Sequence, residues 1–177
     1  MPASDETANV LRGFTPSRHD HRRCIATALG KADAACTAAG LRLTPLRRRV
    51  LELVWGSHTP VKAYDLLAIL GKERHQAAPP TVYRALDFLL EAGLVHRIAS
   101  MNAFVGCGEP GTGHTGQFLI CSNCGTVAEL DEPLLSQTIA ASAARLGFEV
   151  RRETIEIEGL CADCRGAKPR AARGAAR

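Results

Sequence analysis

His96, Cys107, His114, Cys121, Cys124, Glu129, Cys161 and Cys164 carry the thiol, imidazole and carboxylate groups that zinc accepts as ligands. Two Cys-x-x-Cys pairs, Cys121 with Cys124 and Cys161 with Cys164, have the spacing of a closed, all-thiolate tetrahedral site. Gly125 follows the first pair and permits the tight turn of such a knuckle. A redox pair or a disulfide is the rival. A redox pair wants its first cysteine at a helix start, whereas Cys121 follows Phe118–Ile120, which reads as a strand. The other four have ordinary readings when taken singly. His96 is a satisfied polar residue, Cys107 a small loop residue, His114 a solvated loop histidine and Glu129 a solvated strand charge.

The chain of 177 residues can bury one ordinary core or two small ones. Its first twenty residues hold Asp5, Glu6, Arg12, Arg18 and Asp20 with no apolar run, so neither a signal peptide nor a membrane span is expected. That places the protein in the cytoplasm, where paired thiols bind metal. Residues 1 to 106 carry 14 Lys and Arg against 9 Asp and Glu, residues 107 to 164 carry 3 against 9, and residues 165 to 177 add 5 basic residues. A basic first half beside an acidic second half points to a polyanion that touches the first; scatter over solvated faces is the plainer alternative.

The elements that must hold these residues follow from apolar spacing and turn signals. Residues 1 to 18 read as a flexible extension ending in His19 and His21, surface histidines in the commoner case. A helix over 21–39 buries Ile25, Ala28, Leu29, Ala32 and Cys36; its Cys24 and Cys36 project about a third of a turn apart and cannot share a metal. Thr44-Pro45 starts a second helix with the stripe Leu46, Val50, Leu53 and Val54, and Thr59-Pro60 a third that Gly71 closes. Pro79-Pro80-Thr81 starts a fourth, with Val82, Ala85, Leu86, Leu89 and Leu90 inward and Tyr83, Arg84 and Asp87 outward. Leu94 to Gly106 alternates around Ser100-Met101-Asn102 as a hairpin. Short helices followed by a hairpin are the order of a winged helix-turn-helix, whose last helix enters the major groove. Beyond the Gly-rich loop 107–116, which lacks any phosphate-cradling spacing, two strands flank the knuckle. A helix follows over 131–146 with Asp131 as its cap, then a strand over 148–158 with a bulge near Arg152. The fold expected is α+β: a winged-helix domain over 19–106, a hinge over 107–116, a small α/β dimerisation and zinc domain over 117–164, and a basic tail over 165–177. So small a sheet leaves open edges, and pairing with a second copy is the expected remedy.

Leu41-Arg-Leu-Thr-Pro45, Pro80-Thr-Val-Tyr-Arg-Ala-Leu86, Phe118-Leu-Ile-Cys-Ser-Asn-Cys-Gly125 and the Cys161–Cys164 pair together resemble the ferric uptake regulator family, most of all its zinc uptake regulator branch. The resemblance covers about His21 to Cys164. It implies a homodimeric, zinc-dependent repressor of zinc uptake genes on a palindromic operator in double-stranded DNA, with no membrane and no small organic substrate as partner. It also implies two zinc ions per chain. One is structural, on Cys121, Cys124, Cys161 and Cys164; the other is regulatory, on His96, Cys107, His114 and Glu129. The iron and peroxide branches carry a His-rich run before the Phe-x-x-Cys strand; this chain has only His114 there, which favours zinc over those rivals. A zinc hydrolase or deaminase is the alternative of another class, and its His-x-Glu with Pro-Cys-x-x-Cys signature is missing, since Cys121 follows Ile120 and Cys161 follows Leu160. An enzyme is therefore not expected.

For DNA, Arg84 suits a bidentate contact with guanine, Thr81 and Tyr83 suit phosphate, Tyr64 is a further contact by family position, and Arg42 suits a minor groove. Arg84→Ala should cost about 1–3 kcal/mol per half-site and relax sequence preference in a competition binding assay. Undiminished specific binding would remove it from recognition.

Overall fold

The computed structural model describes residues 9–14, 21–73 and 78–166. His19, residues 74–77, the residues from 167 onward and the rest of the extension lie outside the described residues. The elements run β1 (Asn9–Arg12), α1 (His21–Ala38), α2 (Pro45–Trp55), α3 (Ala63–Lys72), α4 (Pro79–Glu91), β2 (Val95–Ile98), β3 (Ala103–Gly106), β4 (Gly116–Cys121), β5 (Val127–Asp131), α5 (Pro133–Ala144) and β6 (Thr154–Gly159), with a 3-10 turn at Ala162–Cys164.

Local signals account for most of the first half. Thr44 caps α2 by accepting from the Arg47 N–H at 3.5 Å, and Pro45 takes the first helical position. Pro79 and Pro80 open α4 likewise, and Gly93 closes it at φ 64°. The core formed by α1 to α4 buries Ala32, Cys36, Val50, Leu51, Val54, Leu66, Leu70, Val82, Ala85, Leu86 and Leu89. Leu51 takes the buried place expected of Leu46 and Leu53, which are only partly covered. The third helix starts at Ala63 rather than at Thr59-Pro60, because Val61 is drawn into a bridge with Phe104 of the hairpin. Its end likewise runs one residue past Gly71.

The hairpin β2–β3 is the wing, and it is covered on both sides. Val95 and Phe104 join the helical core, while Ile98 and Val105 pack with Phe118, Ile120 and Val127 of β4 and β5. At its tip, the Ala99 and Ser100 N–H groups donate to the Glu156 carboxylate of β6 at 2.6 and 3.1 Å. The wing thus joins the helices to the second sheet.

That sheet has the order β1-β5-β4-β6, with β4 and β5 antiparallel and β4 and β6 parallel. Three expectations change here. The extension is not wholly loose, since residues 9–12 form an edge strand on β5. Asp131 ends β5 and Glu132 is the cap of α5, its carboxylate accepting from the Leu134 N–H at 3.1 Å. Residues 148–153 form no strand, so no bulge is needed near Arg152; only Thr154–Gly159 finds a partner. α5 buries no residue, and Leu134, Leu146, Phe148 and Ile157 are exposed, an apolar face of the kind a second copy covers.

Leu86 is 1 % exposed in the helical core. Leu86→Ala should cost about 2–5 kcal/mol in denaturant unfolding of the zinc-loaded protein. Tyr83→Ala, one helix face away, should stay within about 0.5 kcal/mol.

Candidate metal centres

The two Cys-x-x-Cys pairs converge. β4 ends in the first, the turn at Ala162–Cys164 carries the second, and the parallel pairing of β4 with β6 brings Cys121 opposite Gly159, just before Cys161. The four sulfur positions lie within 4.8 Å of one another, and Cys124 Sγ is 3.8 Å from Cys161 Sγ. A tetrahedral zinc with bonds of about 2.3 Å has S···S edges of about 3.8 Å, so the spacing fits the metal and is far too long for a disulfide. All seven cysteines are unbridged. Burial works to raise the Cys121 thiol, but N–H groups of Cys161, Cys124 and Asn123 outweigh it and bring it down to about 6. Those donors suit a thiolate, which is the ligand form.

The second cluster gathers His96 from β2, Cys107 just after β3, His114 before β4 and Glu129 from β5, again with one donor atom each inside 4.8 Å. Glu129 has no solvent exposure. His96 Nε2 and His114 Nε2 each stand 2.8 Å from its Oε1, and the Gly108 N–H donates to its Oε2 at 2.8 Å. Burial alone would raise this carboxyl; His96, Gly108 and His114 outweigh it and hold it near 2. Cys107, by contrast, is pushed up to about 12 by burial and by the charge of Glu129.

The hydrogen bonding around His114 shows what the cluster suits. Thr112 Oγ1 donates its one proton to the Glu109 carbonyl at 2.8 Å, so it accepts from His114 Nδ1–H at 2.9 Å. Nε2 is then the His114 atom that faces Glu129 Oε1 at 2.8 Å, donating its proton there or, where a metal takes the place of that proton, offering the metal its lone pair. His96 Nε2 is buried, close to the same oxygen, and without a hydrogen bond. Lone pairs converging on one point are a cation's ligand set. Cys107 Sγ lies 3.6 Å from His114 Nε2, the edge expected of a tetrahedron with Zn–S about 2.3 Å and Zn–N about 2.0–2.1 Å.

Sequence spacing alone misses three neighbours of this cluster. Arg12 lies opposite Glu129 across the β1–β5 ladder, and burial lowers its pKa against the opposing pull of Glu129 and Cys107. Lys31 of α1 donates to the Gly108 carbonyl at 3.0 Å and pairs with Glu109. Gly108 supplies the N–H to Glu129. Each acts through a contact distant in sequence, so no local pattern announces it.

In the helical half, Arg42, Tyr64, Thr81, Tyr83 and Arg84 are all exposed. Among the described residues the ion pairs do not include Arg84, so its pairing with Asp87 is not formed. Tyr83 and Arg84 share the outward face of α4, while Tyr64 sits at the start of α3.

A winged helix bearing exposed basic and aromatic residues, joined through its wing to a sheet that carries two closed ligand clusters, defines a metal-dependent DNA-binding regulator. The sequence pattern of the ferric uptake regulator family matches residues 38–158. The chain belongs to this family. It is 43 % identical over 139 residues to the zinc uptake regulation protein of Escherichia coli K12, covering 77 % of this chain and 80 % of that protein. The structure of holo XcZur aligns with a TM-score of 0.74 at 44 % identity, covering 80 % of this chain and 99 % of that one. A zinc uptake regulator complexed with zinc and DNA aligns with a TM-score of 0.72 at 42 % identity, covering 79 % and 94 %. The peroxide-responsive repressor PerR of Staphylococcus aureus Mu50 is 26 % identical over 139 residues, covering 77 % and 90 %.

If each cluster holds one zinc, Cys107→Ser should leave one zinc per chain, counted by atomic emission after dialysis. Cys124→Ser should instead lower thermal stability sharply, since a structural thiolate site contributes folding energy directly.

Proposed function

We propose that the protein is a zinc-responsive repressor of zinc uptake genes that works as a homodimer on double-stranded DNA in the cytoplasm. Close likeness to zinc uptake regulators supports the class and the metal. The observation that carries the reading is the second cluster: four donors from the wing, the loop after it and the sheet meet at one buried point. Cys121, Cys124, Cys161 and Cys164 form the structural zinc site, which fastens the end of β4 to the chain end beyond β6. His96, Cys107, His114 and Glu129 form the regulatory site. Zinc held by these four residues would join segments otherwise linked by packing and by hydrogen bonds such as Gly108 N–H to Glu129.

The chain's own residues prepare that state. Residues 19–106 form the DNA-binding domain, 107–116 the hinge and 117–164 the dimerisation domain. His96 is on the wing strand that directly follows α4, and Glu129 is rooted in the sheet, so fixing one to the other fixes the angle of α4 to the dimer. In that state Arg84, Tyr83 and Thr81 meet one half-site of a palindrome, with Tyr64 and Arg42 on its flank. To turn a mostly incompetent population into a mostly competent one, the second site must favour the closed state by about 5 kcal/mol. Both clusters present a full set of four protein donors, which leaves no open position for a reacting water; this supports a regulator rather than a zinc hydrolase.

The test is binding to a zinc uptake promoter fragment, titrated against buffered free zinc, with zinc per chain counted at each point. Affinity should rise steeply as the count passes from one to two and survive mild peroxide. Binding that ignores the second zinc, or is lost to peroxide, would contradict this function.

A further inference from the structure

We propose that the amino-terminal strand β1 forms one wall of the regulatory centre, with Leu11 and Arg12 as positioning residues that hold Glu129 and the Cys107 loop in place for the metal. This rests on reading His96, Cys107, His114 and Glu129 as a zinc site. β1 lies outside the 38–158 stretch that matches the family, so the family frame does not supply this wall.

β1 pairs antiparallel with β5, with Arg12 directly opposite Glu129, and residues so placed share one face of a sheet. The register shifts between Val10 and Arg12, and such an irregularity re-aims the side chain beyond it. Arg12 Nη2 donates to the Val127 carbonyl of β5 at 3.4 Å, while the guanidinium carbon stands 5.6 Å from the centre of the Trp55 ring on α2. The guanidinium therefore bonds to the sheet and lies over a ring of the DNA-binding helices. Its Nε is buried without a hydrogen bond. An arginine is costly to bury unless an opposite charge stands near, and Glu129 is the buried carboxylate here.

Leu11 acts on the loop. A Cβ on Gly108 would collide with the Leu11 carbonyl, so β1 lies directly against the residue whose N–H holds Glu129 Oε2. On its far side the same residue is gripped by Lys31 of α1. A Cβ on Gly106 would collide with the Trp55 indole, which closes the loop from α2. The segment 106–108, with Cys107 at its centre, is thus pressed between β1, α1 and α2. Without β1 it keeps two of these three walls, and Glu129 keeps its strand partner on one side only.

Outer contacts that orient metal ligands are worth about 10–100-fold in affinity. The experiment compares the full chain with a deletion of residues 1–13, with Arg12→Gln and Arg12→Lys, and with Cys107→Ser, titrating each with zinc against a chromophoric chelator. The deletion should weaken the second zinc about 10–100-fold and leave the first unchanged, with Arg12→Gln between it and the full chain. Emission of Trp55, the sole tryptophan, should shift on deletion as the ring loses its cover. Retention of the first zinc shows that the shortened chain folds; if it is lost, Arg12→Gln decides. A second zinc held as tightly by the deletion and by Arg12→Gln as by the full chain overturns the proposal. If Cys107→Ser still binds two zinc ions, the reading of the quartet falls and this proposal with it. If it binds one while the strand variants behave as the full chain, only the role of β1 falls.

Discussion

A carboxylate with no solvent exposure is expensive, and Glu129 sits where the Gly108 N–H donates to it, two imidazoles stand 2.8 Å from it and Arg12 lies opposite it across the β1–β5 ladder. Each comes from a different segment: Gly108 from the loop, His96 from the wing, His114 from the approach to β4, and Arg12 from β1. The strands that carry these groups must therefore meet at Glu129. A protein of this size has little stability to spare, so an ionised group placed there has to be held by its surroundings or by a metal.

The same arrangement explains why binding at one point can control a surface elsewhere. The wing is packed between the helical core and the sheet, with Phe104 on one side and Ile98 and Val105 on the other. Glu156 fixes the wing tip through the Ala99 and Ser100 N–H groups. These are short-range contacts, and none of them alone sets an angle stiffly. In the proposed function a metal held by ligands spread over wing, loop and sheet would, because ligand distances tolerate only about 0.2 Å. The cluster at Cys121 spans only the end of β4 and the turn at Ala162–Cys164, which in the proposed function suits a permanent fastening rather than a signal.

Much of this was legible in the sequence because it was local. The Thr44-Pro45 start, the apolar stripe of α4, the hairpin around Asn102 and the paired cysteines are all read within a few residues. What escaped depended on distant partners. Thr59-Pro60 looks like a helix start, yet Val61 pairs with Phe104 and delays the helix to Ala63. Phe148 to Arg152 alternates like a strand but finds no strand partner among the described residues. Asn9–Arg12 is too short for any periodicity to show, and only its pairing with β5 makes it a strand. The apolar stripe of α5 predicts an inward face, yet the helix buries nothing within one chain, which is the expected trace of a surface meant for another copy. At the metal sites, the cysteine spacing identified one cluster unaided, whereas the four residues of the other are spread over 34 positions and needed the family likeness to be grouped.

The most direct test of the account is the distance between the two winged helices of the dimer, measured by pulsed electron resonance at one and at two zinc ions per chain. A spin label carried on a non-natural residue at exposed Ala38 avoids the native thiols. One narrow distance at two zinc ions and a broad spread at one is the predicted result. The same distribution at both loadings would mean that Glu129 and its partners do not set the angle of the DNA-binding domains.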